Sequence, residues 1–117
     1  MQRTRPTKKG SVKMRQGTTP THTFSIPVEA ALVDSIYICY SQRGCGMLEK
    51  TKPQVTLADD EDGGHYASVS LTQEETLSFK AGIECLIQVR FTTVSGEAFA
   101  SQIISESVDG VIKGGEI

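Results

Sequence analysis

The chain has 117 residues, enough for a single domain. Only 38% of them are apolar, and no apolar run approaches the roughly 20 residues that a membrane-crossing helix needs. The net charge of −2 hides a split: residues 1–15 hold six basic and no acidic side chains, while residues 16–117 hold six basic and fourteen acidic ones.

At this size a chain buries about two-thirds of its unfolded surface, so a core forms without staples. The front end shows no apolar segment behind its charges, unlike a secretory signal. Cys39, Cys45 and Cys85 are an odd number without close pairing. They read as reduced thiols of a protein folded in a cytosol, with one bridge left open.

Residues 1–13, MQRTRPTKKGSVK, are basic and almost free of apolar side chains. They read as a disordered tail, or as translated leader sequence upstream of a start at Met14. Arg15-Gln16-Gly17-Thr18-Thr19-Pro20 then forms an extended lead-in. It is expected to lie along a neighbouring subunit or over one edge of its own sheet.

From Thr21 onward a period of two recurs, the signature of half-buried strands. His22, Phe24, Ile26 and Val28 alternate with polar neighbours, and Pro27 makes this strand an edge or ends it. EAALVD (29–34) suggests a helical turn. Ile36, Ile38 and Tyr40 alternate next, QRGCG turns the chain, and a short strand covers Met47–Thr51 before Pro53 interrupts it.

Val55 and Leu57 lead through ADDEDGGH into His65, Ala67, Val69 and Leu71, which reads as a hairpin with an acidic tip. Thr72 followed by Glu75 is a capping box. Ile83–Thr93 is the clearest strand, with Cys85, Ile87, Val89 and Phe91 inward and Leu86 as the exception. Ala98–Val108 makes the last strand. Its alternation slips between Phe99 and Ile104, which fits a bulge. Residues 110–117 read as a flexible tail.

About seven short strands with regular turn signals predict an all-β fold, an immunoglobulin-like antiparallel β-sandwich with one short helical turn over residues 14–109.

The chemistry-bearing residues are sparse. Asp59, Asp60, Glu61 and Asp62 lack the alternating spacing of a calcium loop and read as a solvated tip, with weak cation binding left open. His22, His65 and the cysteines lack zinc spacing, and His22 and His65 read as boundary residues of the core. No nucleophile, phosphate-loop or metalloprotease motif is present. The expectation is a protein that is not an enzyme, with no catalytic residue, metal or cofactor. The basic front is a weak nucleic-acid signal without interleaved aromatics. Tyr66, on a solvent face, is an interface candidate.

Three stretches carry a resemblance: MRQGTTPTHTFSIPVEAALVDSIYICYSQ, VSLTQEETLSF and IQVRFTTVSGEAFASQII. Together they resemble small uncharacterised proteins encoded in phages and prophages of gut Firmicutes, over about Met14–Val108. The opening Arg-Gln-Gly-Thr is also similar to the N-terminal, immunoglobulin-like domains of phage baseplate upper proteins. This resemblance implies a virion structural protein of a tail or baseplate. Its partners would be other phage structural proteins or further copies of itself, in the host cytoplasm during assembly and then in the virion. Arg15, Gln16, Gly17, Thr18 and Tyr66 are the candidate interaction residues. The alternative is a host-side binding or regulatory module that uses the basic arm.

Overall fold

Alternation of side chains decides which residues meet, and the strands follow from it. The computed structural model describes residues 13–117, so the expected basic tail lies outside the described residues except for Lys13. In chain order come β1 (Met14–Arg15), β2 (Thr21–Ser25), a 3-10 turn (Ala30–Leu32), β3 (Val33–Gln42) and β4 (Cys45–Thr51). A second 3-10 turn (Lys52–Gln54), β5 (Thr56–Asp59), β6 (His65–Ser70) and α1 (Gln73–Leu77) follow. The chain closes with β7 (Cys85–Thr93), β8 (Ala98–Ala100), β9 (Ile104–Glu106) and β10 (Val108–Asp109).

Two antiparallel sheets hold the fold. The smaller runs β2-β6-β5 and the larger β4-β3-β7-β8, with β9 also on β7. β1 and β10 add a short parallel pair, Met14 opposite Val108. Each sheet turns its apolar rows inward: His22 and Phe24 from β2, Ala67 and Val69 from β6, Ile36, Ile38 and Tyr40 from β3, and Cys85, Ile87, Val89 and Phe91 from β7. The result is an immunoglobulin-like β-sandwich, with each layer burying the other's apolar face.

All seven expected strands are present. β8 and β9 are one strand broken by the expected bulge. Arg90 pairs Ala100 and Ile87 pairs Ile104, so two residues of β7 face three on the partner. Ser101 fills the gap: its amide donates to Val89 O at 2.8 Å, and its Oγ accepts from the Val89 amide at 3.0 Å.

The one short α-helix is α1, and the turn expected over residues 29–34 is the 3-10 turn Ala30–Leu32. A second 3-10 turn is added where Thr51 and Gln54 form another capping box around Pro53. The strand expected from Ile83 begins at Cys85. Gln42, buried at the end of β3, captures the preceding loop through the Lys80 amide and the Lys80 and Ile83 carbonyls, at 2.8–3.0 Å.

Candidate interaction surface

The lead-in folds back on its own domain. Met14 is fully buried in the core. The Gln16 amide donates to Asp109 O at 2.9 Å, and its Nε2 donates to Phe79 O at 2.6 Å. Gly17, with φ +75°, sits near Leu77 and Val111 in a conformation that favours glycine. Thr76 Oγ1 donates to Thr18 O at 2.9 Å. Arg15 Nη1 donates to Gly110 O at 2.7 Å while its side chain stays more than half exposed. The lead-in therefore ties β10, α1 and the loop before β7 into one end of the sandwich. The C-terminal residue joins them, since Gln73 exchanges hydrogen bonds with Ile117 at 2.9 and 3.3 Å.

The fifth candidate, Tyr66, is not with them. It lies half-buried on the outer face of the smaller sheet, opposite Ser25 and Ala58. Its ring crosses Gly64, close enough that a Cβ there would meet the hydroxyl at 2.6 Å. The same face carries Thr21 beside Ser70, and Ser68 between Thr23 and Thr56. Thr21 and Ser70 hydroxyls are 2.9 Å apart, and those of Thr23 and Ser68 are 3.1 Å apart. These outward rows hold no charged side chain. Their signal in the sequence is the polar half of THTFS and HYASVS, easily overlooked beside the apolar half. On the larger sheet, Tyr37 stands 42% exposed opposite Arg90, a second surface that sequence reasoning missed.

The titratable groups nearest the core are engaged within the fold. His22 is wholly buried rather than at the core boundary. Its Nε2 lies 3.0 Å from Lys13 O, which can only accept, so Nε2 carries the proton. Nδ1 then accepts from the Tyr40 hydroxyl at 2.8 Å. Burial lowers the His22 pKa and raises that of Tyr40. His65 is half-buried, with Nδ1 2.9 Å from Asp59 Oδ1. The Ala30 amide first, then His65, hold the Asp59 carboxyl below its usual range.

Lys50, buried on β4, donates to both Glu75 oxygens at 2.8 and 3.0 Å. Burial works against the Glu75 charge, but Lys50 and Thr72 outweigh it and hold its pKa low. The Cys85 thiol is pushed up to about 11 by burial, and Cys39 is also raised, by burial and then by Glu49. Neither imidazole bonds a described thiol, and no group of three His, Cys, Asp or Glu could hold a metal among the described residues. Nor is any helix among them long and apolar enough to cross a membrane.

The chain matches no family model and no curated protein. Among solved structures it is similar to part of the cycloalternan-forming enzyme of Listeria monocytogenes, solved in complex with a pentasaccharide substrate. Identity is 15%, the TM-score is 0.56, and the match covers 82% of this chain. An uncharacterised protein of the same organism, solved with glucose, magnesium and calcium, matches with the same values. The chain spans about 8% of the length of those two proteins. Murine CRIg matches at 5% identity with a TM-score of 0.40, over 86% of this chain and 92% of that one. The Listeria likeness shows a shared sandwich fold, and a fold of this kind hosts many functions.

Proposed function

We propose that this chain is a non-catalytic structural protein of a phage or prophage, an interaction domain associated with a tail or baseplate. The observation that carries this reading is where its polar groups are spent. His22, Gln42, Lys50, Glu75, Thr76 and Asp59 each bond within the domain. Its two outer sheet faces differ: the smaller is an uncharged hydroxyl face, and the larger carries Tyr37 beside Arg90. Sheet faces recognise other proteins by shape, and sheet edges recognise them by strand addition. The resemblance of Met14–Val108 to phage and prophage proteins supports the assignment to a particle. The half-exposed Arg15 and Tyr66 remain candidate contacts, while Gln16, Gly17 and Thr18 present the lead-in.

The test is co-sedimentation. The protein is expected to travel with particles from an induced lysogen through a density gradient, and to remain with them in high salt. A second reading, a host-side binding module, draws on the +6 charge of residues 1–15 against −8 elsewhere. It expects the protein to stay at the top of the gradient and to bind nucleic acid in a salt-dependent way that is lost without residues 1–13.

A further inference from the structure

The outer edge of β2 ends the smaller sheet, since β2 pairs only with β6 among the described residues. Which backbone groups point outward follows from the ladder. The Ile26 amide donates to His65 O, and the Leu71 amide donates to Pro20 O. Bonding alternates along an antiparallel pair. His22 and Phe24 therefore turn their backbone groups to β6. Thr21, Thr23 and Ser25 turn theirs away, and these three have no backbone partner among the described residues.

Edge strands are ordinarily blunted by a lysine, an internal proline or a bulge. THTFS has none of these, and its register with β6 is unbroken. Pro20 and Pro27 flank the strand and leave the triplet free.

The edge is also self-complementary. An antiparallel two-fold centred on Thr23 sets Thr23 against its own copy, and Thr21 against Ser25. The outward-facing residues then meet only outward-facing residues, and each pair can exchange two backbone bonds. Because the outer side chains of β2 are Thr, Thr and Ser, the axis brings no like charges together. Their hydroxyls extend the rows already formed with Ser70 and Ser68.

We propose that the β2 edge is a pairing site for a second copy of this chain, joining two three-stranded sheets into one six-stranded sheet through Thr21, Thr23 and Ser25. The symmetry is isologous, so the contact closes as a dimer. The contact is narrow, so association belongs to the weak, concentration-dependent class. This inference does not depend on the phage assignment.

The test combines sedimentation equilibrium with amide exchange by NMR on the full chain, from micromolar to millimolar protein. The expected result is a mass rising from monomer to dimer, with protection of the Thr21, Thr23 and Ser25 amides rising in step. Thr23→Lys places two ammonium groups at the axis on an outward-facing position. It is expected to weaken association at least about tenfold with an unchanged circular-dichroism spectrum. Thr23→Pro removes an outward N–H that the β6 ladder does not use, and should have the same effect. A monomer at every concentration overturns the proposal. Protection of the three amides that is independent of concentration in a monomer assigns the edge to residues 1–12 of the same chain, and also overturns it. So does a dimer whose β2 amides exchange freely, or one indifferent to both variants.

Discussion

The Tyr40 hydroxyl donates to His22 Nδ1 at 2.8 Å in the centre of the sandwich, and the opposite ring nitrogen donates to Lys13 O. This chain of bonds joins β3, β2 and the residue before β1. Tyr40→Phe removes the donor and leaves a buried imidazole acceptor without a partner. An orphaned buried polar group costs about 1–3 kcal/mol, so chemical denaturation should show a loss of that size with the fold retained. An unchanged midpoint would mean that the imidazole is not held as described.

The same imidazole sets a pH dependence. Burial depresses the His22 pKa below its ordinary 6.5, so the folded protein resists a proton that the unfolded chain accepts. Stability is full above that value and falls as pH drops through it. Glu75 and Asp59 are also depressed. Their contribution is present above their unfolded values and is lost as pH falls through the lowered folded ones, at more acid pH. The melting temperature should thus descend in two stages. His22→Gln, which cannot titrate, should remove the first stage, which begins as pH falls through 6.5. A first stage that persists in the variant would contradict this assignment.

Lys50 and Glu75 are unequally placed. The lysine side chain keeps 7% of its exposure and the glutamate 24%. Glu75→Gln strands a buried ammonium and should cost about 2–3 kcal/mol, somewhat under the value for a fully buried pair. Lys50→Met leaves a carboxylate that still accepts from the Thr72 amide and reaches water, so it should cost less. Equilibrium unfolding of the two variants checks the order.

The lead-in gives a graded series. Met14→Ala opens a cavity in the core and should cost about 2–5 kcal/mol. Gln16→Ala loses its bond to Phe79 O and should cost about 1 kcal/mol. Arg15→Ala removes only exposed contacts and should stay within about 0.5 kcal/mol. Thermal melts rank the three. An Arg15 effect as large as that of Met14 would show that the lead-in is held by charge rather than by burial.

Much of this architecture was legible because strand alternation is local. Cys85 to Phe91 announce their inward face within seven residues, and the slip after Phe99 announces the bulge. Thr72 and Glu75 announce their turn because a capping box spans four residues. The equivalent Thr51–Gln54 box was overlooked because Pro53 reads first as a strand breaker. What stayed hidden depends on distant partners. Nothing near His22 in the chain says that Tyr40 and Lys13 will meet it. Nothing near Gln16 says that Phe79 and Asp109 will use up its hydrogen bonds. The hydroxyl rows were in plain view as alternation, but their meaning needs β2 and β6 side by side, which only the register supplies.

The most direct test of the account is mass spectrometry of purified particles from an induced lysogen carrying this gene. A structural protein of the particle is expected to give peptides from the Met14–Val108 region in stoichiometric amounts with known particle components. Absence from particles, with the protein abundant in the same lysate, would contradict it and favour a host-side binding module.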